Sequence, residues 1–153
     1  MDEKQIFYMN QALELARRAQ RRGEVPVGCI IVRRGHIIAR SYNRREAGKN
    51  ALYHAELLAI DRACRRLGGW RLWDCELYVT LEPCAMCAGA IINARIPKVF
   101  YGASDDRNGA MGSAAEMQKR QNSFVPEVSG GILGAECAEV LTSFFRRMRK
   151  KSV

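Results

Sequence analysis

No apolar run in this chain approaches the eighteen or so residues that a membrane-crossing helix needs. The opening residues, Met1-Asp2-Glu3-Lys4-Gln5, carry acids where a secretory signal has a basic and then an apolar stretch, so the expectation is a cytoplasmic protein without a membrane partner. Internal repeats, low-complexity tracts and linker-like stretches are also absent. The 153 residues therefore read as one domain, 1–153, long enough to bury a core without disulfide or metal staples. A disulfide framework is missing too: of six cysteines, only Cys84 and Cys87 share a motif spacing, and that spacing is metal-like. Cys29, Cys64 and Cys137 lie in apolar stretches and read as reduced, buried small hydrophobes, while Cys75 opens a strand.

Negative charge is scarce. Against 25 Lys and Arg stand 16 Asp and Glu, a formal charge of +9, which favours a polyanionic partner through phosphate neutralisation. The excess is uneven. Arg146, Arg147, Arg149, Lys150 and Lys151 crowd the last helical segment with no acid among them, whereas Arg17, Arg18, Arg21 and Arg22 end the first helix, where cations complement the helix dipole. The first group reads as a nucleic-acid contact and the second as structural.

Ile6, Met9, Leu13 and Ala16 step by three and four, predicting an opening helix that stops near Gly23. Residues 27–32 and 36–42 read as a hairpin turned at Arg33-Arg34-Gly35. Leu57, Ile60, Cys64 and Leu67 mark a helix over 54–67, ended by Gly68-Gly69. A buried strand over 76–80 leads into a helix over 85–94, flanked by Pro83 and Pro97. A short strand at 98–102, a loop at 105–112, a helix at 113–121 and an edge strand within 125–133 follow, the last interrupted by Pro126 and Gly130-Gly131. The closing helix places Cys137, Leu141, Phe144 and Met148 on one stripe. Trp70 and Trp73 read as packing the connection between helix and strand. Alternating strands and helices with an initial hairpin predict an α/β fold whose central sheet is mixed.

The chemistry sits in His54-Ala55-Glu56 and Pro83-Cys84-Ala85-Met86-Cys87. One imidazole and two thiolates suit zinc, and three protein ligands leave the fourth tetrahedral position open for water, as catalytic zinc requires. A closed structural site would need a fourth protein ligand, and neither His36 nor a spare cysteine shares a motif with the others. Glu56, two residues from His54, is placed to move protons, with an ordinary carboxylate pKa of about 4.3 keeping it ionised. Glu82, beside the motif, has no assigned catalytic part.

H-x-E with P-C-x-x-C is the known signature of zinc nucleobase deaminases, so this step is motif recognition. The wider set Glu24-Val25-Pro26-Val27-Gly28, Asn43, His54-Ala55-Glu56, residues 78–84 (Y-V-T-L-E-P-C), Gly102-Ala103 with Asp105, and Phe144-Phe145-Arg146 resembles the bacterial tRNA-specific adenosine deaminases across nearly the whole chain. The resemblance implies a three-layer α/β/α cytidine-deaminase-like fold and one Zn2+ per chain on His54, Cys84 and Cys87, with Glu56 as proton carrier. It further implies a base pocket lined by Val27 and Asn43, with Asp105 near the preceding nucleotide. The closing helix, with Phe145 and Arg149, would contact the tRNA anticodon arm, and the chain would form a homodimer. The implied reaction turns the wobble adenosine of a tRNA, an arginine tRNA, into inosine. This chain departs from the family pattern at Tyr53, where a small residue is usual, and at Ser123-Phe124, where Asn-His is common. Two other functions fit parts of the sequence: a free-base or nucleotide deaminase acting on cytosine, guanine or deoxycytidylate, and a non-catalytic zinc-stapled RNA-binding module.

Overall fold

A computed structural model describes residues 1–119 and 124–151. The elements run α1 (Glu3–Arg21), β1 (Gly28–Arg33), β2 (His36–Tyr42), α2 (Ala55–Leu67), β3 (Cys75–Leu81), α3 (Ala85–Asn93), β4 (Lys98–Ala103), a 3-10 turn (Met117–Lys119), β5 (Glu127–Ser129) and α4 (Gly134–Lys151). The five strands order β2-β1-β3-β4-β5. β1 pairs antiparallel with β2 and β3, while β4 pairs parallel with β3 and β5, so the sheet is mixed, as the element order predicts.

Strand alternation divides the core into two layers. Cys29, Ile31, Leu77, Val79, Val99 and Tyr101 face α2 and α3, and Ile30, Val32, Tyr78 and Phe100 face α1 and α4. The β1–β2 hairpin closes through Arg34 and Gly35, both at positive φ (50° and 79°), the backbone that a two-residue turn needs. α1 crosses β1 at Gly28, where a Cβ would collide with the Ala12 carbonyl and the Ala16 nitrogen. The N-terminal half of α1 lies towards the hairpin turn, since the Tyr8 hydroxyl donates to the Gly35 carbonyl at 3.2 Å. α1 therefore runs from the hairpin turn to the opposite end of the sheet, where β1 begins.

Several expectations need correction. On α2 the fully buried face is Ala55, Ala59 and Ala63, because small residues let the helix sit close on the sheet; Ile60, Cys64 and Leu67 pack at its margin. Cys64 is consequently half-buried, whereas Cys29 and Cys137 are buried as expected. Met148 leaves the α4 stripe at 42% exposed. Trp70 and Trp73 do pack the connection between α2 and β3, but on its surface, at 49% and 55% exposed: Trp70 carries the Arg71 guanidinium 4.1 Å from its ring centroid, and Trp73 meets the Phe124 ring edge-on at 6.3 Å. The helix expected over 113–121 is a 3-10 turn at Met117–Lys119, and residues 120–121 lie outside the described residues, as does Ser123. The Met117 N–H, which in that helix would donate to the Ser113 carbonyl, donates instead to the Ala110 carbonyl at 2.7 Å. Only Glu127–Ser129 of the expected edge segment pairs with the sheet, bounded by Pro126 and Gly130-Gly131.

Candidate metal centre and cavity

Two helix starts meet at one point. His54 is the N-cap of α2 and Cys84 the N-cap of α3, both with extended backbone, and Cys87 lies in the first turn of α3. Neither N-cap side chain is spent on capping its own helix, so both are free to face the other. His54 Nδ1 lies 3.7 Å from Cys84 Sγ and 3.6 Å from Cys87 Sγ. A tetrahedral zinc with Zn–S of about 2.3 Å and Zn–N of about 2.0–2.1 Å gives an N···S edge of about 3.5–3.6 Å. The donor set fits zinc in chemistry and in size, with all three atoms within 4.8 Å of one another. His36 is exposed at the head of β2 and stands outside this group.

The electrostatics favour a thiolate. Hydrogen bonding from the Cys87 thiol, then from His54, pulls Cys84 down to about 4 against the cost of burial. The same bond to Cys84, followed by burial, pushes Cys87 far up, and hydrogen bonding to Cys84 raises His54. The open ends of α2 and α3 contribute positive potential at the same place.

Glu56 occupies the first turn of α2 and is 4% exposed. Burial pushes its carboxyl up to about 7, against lowering by the backbone and by His54. The ordinary value of about 4.3 expected from sequence is thereby corrected, because the acid is enclosed between the helix and the sheet. Near neutrality it is divided between its ionised and protonated forms, so it can both accept a proton and release one there.

A cavity of about 740 Å³ opens beside these groups. His54, Cys84 and Glu56 form part of its wall, and Val27, Asn43, Asp105 and Phe145 line it as well. The structure thus brings together four of the five residues assigned to substrate; Arg149 is exposed on α4 and does not line the cavity. Val27 and Asn43 are adjacent because β1 and β2 begin and end there, with the Asn43 N–H donating to the Val27 carbonyl at 3.1 Å. Asn43 also fixes its own turn: Nδ2 donates to the Val25 carbonyl at 3.3 Å, and Oδ1 accepts from the Arg45 N–H at 3.1 Å. Asp105 does likewise, its Oδ1 accepting from the Arg107 and Asn108 N–H groups, each at 3.1 Å.

Two acids to which the sequence assigns no part build the walls. Glu82, 2% exposed, accepts from the N–H groups of Asp105 (3.1 Å), Met111 (3.1 Å) and Ser113 (3.0 Å) and from the Ser113 hydroxyl. Burial alone would raise it, but the bonds from Ser113, Asp105 and Met111 win and hold it below its usual range. Gly109 is required in this loop, since a Cβ would strike the Glu82 carboxylate and the Asp105 carbonyl. Glu24, 1% exposed, accepts from the N–H groups of Glu46 (3.0 Å) and Ala47 (2.7 Å) and fixes the loop after β2. A charged residue beside an apolar motif, as in Glu24-Val25-Pro26 and Glu82-Pro83, is the one signal of these parts that the sequence carries.

A sheet covered on both faces, with a His-Cys-Cys donor set and a buried carboxylate at its edge, is the architecture of a zinc-dependent deaminase, and residues 2–103 match the cytidine and deoxycytidylate deaminase zinc-binding region. The tRNA-specific adenosine deaminase of Bacillus subtilis (strain 168) is 46% identical over 95% of this chain and 91% of its own length. A structure from a study of A-to-I editing by tRNA:A34 deaminases at the wobble position superposes with a TM-score of 0.85 at 43% identity, covering 88% of this chain and 99% of that one. The chain belongs to the tRNA-specific adenosine deaminase family. The guanine deaminase of Nitrosomonas europaea shares the fold more distantly, with a TM-score of 0.74 at 29% identity over 89% of this chain and 81% of its own.

Proposed function

We propose that this enzyme hydrolyses the 6-amino group of the wobble adenosine in a tRNA, giving inosine and ammonia, with one zinc ion held by His54, Cys84 and Cys87. The observation that carries this reading is the meeting of the donor set and the buried Glu56 in a cavity that Val27, Asn43, Asp105 and Phe145 also line. Zinc in that position supplies activation of water as a nucleophile at neutral pH. Glu56, poised near neutrality, takes a proton from the water, delivers it to the purine N1 and carries the next to the departing amine.

Val27 packs against the base, and Asn43 retains one N–H and one lone pair beyond its bonds to Val25 and Arg45, enough for a base edge or a ribose hydroxyl. Asp105 meets the preceding nucleotide. Phe145, 45% exposed at the cavity mouth, offers a stacking face, and Arg149, one turn further along α4, contacts the anticodon arm. The tRNA is an arginine tRNA by resemblance alone, and a tRNA substrate places the enzyme in the cytoplasm. Two copies form a homodimer; Leu52 and Met86, 56% and 36% exposed and close in sequence to the donor residues, are apolar surface that such an interface would cover.

The likeness to a guanine deaminase keeps a free-base substrate as the rival reading. Ammonia release separates them: total bacterial tRNA should be turned over, while guanine, cytosine, deoxycytidylate and free adenosine should not. Turnover of guanine with none of tRNA would install the rival.

A further inference from the structure

In the sequence, the arginines that end α1 are a dipole complement; the structure gives them a place. α1 ends at the cavity end of the sheet, and the connector from Arg22 to Val27 passes directly into the cavity wall. Arg22 sits 6.0 Å from the centroid of the Tyr42 ring, next to Asn43. The buried Glu24 carboxylate, by accepting from the Glu46 and Ala47 N–H groups, ties this connector to the loop that carries Arg44 and Arg45. Four exposed arginines, Arg21, Arg22, Arg44 and Arg45, are thereby gathered on one flank of the cavity, and Arg45 lines it.

Among the described residues none of these four guanidinium groups is in an ion pair. The only acid with an exposed side chain on this loop is Glu46, so the flank keeps a clear positive excess. Resting on the function proposed above, we propose that Arg21, Arg22, Arg44 and Arg45 form a cationic rim that binds the phosphates of the RNA strand on the α1 side of the extruded nucleotide. The basic end of α4, which continues from Phe145, takes the strand on another side of the mouth. Glu24 is a positioning residue here: it touches no RNA but holds the two halves of the rim together. Such a rim has no use for a free base, which carries no phosphate.

The test compares R21Q/R22Q with R33Q/R34Q, a pair at the hairpin turn with the same change in charge. β1 spans six residues, about 20 Å, so the control pair lies at the other end of the sheet. Steady-state deamination of full-length tRNA is measured from 50 to 200 mM salt, alongside binding of an anticodon stem-loop RNA by fluorescence anisotropy. The rim variant should raise KM severalfold, with a smaller effect on kcat, and should flatten the log affinity against log salt slope by roughly 0.7–0.9 for each phosphate that is no longer neutralised. The control pair should leave both unchanged. Equal losses in the two variants would reduce the effect to overall charge and overturn the rim; so would an unchanged KM and slope in R21Q/R22Q while the wild type still deaminates tRNA. Failure of the wild type to act on any tRNA would instead sink the functional reading, and the rim with it.

Discussion

Replacing Glu82 with glutamine removes one charge and almost no volume, yet it should destabilise the protein measurably. Oε1 accepts from the Asp105 N–H and the Ser113 hydroxyl, and Oε2 accepts from the N–H groups of Met111 and Ser113. Glutamine keeps one acceptor and must point an NH2 at the other pair. Its better orientation places the NH2 on the Oε1 side, because the Ser113 hydroxyl can turn to accept. One backbone N–H, that of Asp105, is then left facing a donor. An unsatisfied buried donor costs about 1–3 kcal/mol and the lost charge assistance about 1 kcal/mol more, so the expected loss is about 2–4 kcal/mol. With a urea m-value of about 2 kcal/mol per molar, the unfolding midpoint should fall by roughly 1–2 M.

The effect has a defined pH window. The folded carboxyl of Glu82 is held below its usual range, so its stabilising contribution is present above the unfolded value of about 4.3 and is lost as pH falls through the lower folded value. The glutamine variant has no such titration. The stability gap between the two proteins should therefore narrow below about pH 4, and zinc loss in acid, common to both, cancels in the difference. A midpoint shift worth less than 1 kcal/mol at pH 7, or a gap that stays constant down to pH 3, would refute the reasoning.

Glu56→Ala should keep zinc and fold but lose nearly all turnover, a loss of at least about 100-fold, because the water then lacks the buried carboxyl, near neutrality in pKa, that carries its proton; near-normal turnover would show that another group carries it. Elemental analysis should find one zinc per chain, and Cys87→Ser should lower that content together with activity; a full zinc complement in the serine variant would contradict the ligand set. Replacing Arg149, Lys150 and Lys151 together with alanine should raise KM for full-length tRNA and flatten its salt dependence by roughly 0.7–0.9 per phosphate left without its cation, with zinc content unchanged. An unaltered slope would return this helix end to a solvated surface.

How far sequence reaches here depends on where a residue's partners lie. The hairpin was legible because Gly35 marks a turn that needs positive φ between two short β-branched, apolar-rich runs. His54, Glu56, Cys84 and Cys87 were legible because each motif is local and its side chains are chemically distinctive. The seating of α2 was not: its leucines and isoleucine give the stronger hydrophobic signal, but its alanines fit against the sheet, a matter of space rather than hydrophobicity. Glu24 and Glu82 hid their parts for a different reason. Their partners are mostly backbone N–H groups 22 to 31 positions away, and backbone amides leave no trace in residue identity. The rise of Glu56 to about 7 likewise follows from enclosure, which no two-residue spacing encodes.

The most direct test of the central claim is inosine mapping at single-nucleotide resolution in total bacterial tRNA treated with the zinc-loaded enzyme, with the Glu56→Ala protein in parallel. The account predicts conversion of adenosine to inosine at the first anticodon position, confined to the tRNAs that carry adenosine there and absent with the variant. Intact adenosine at that position after treatment with an enzyme that contains its zinc would contradict it.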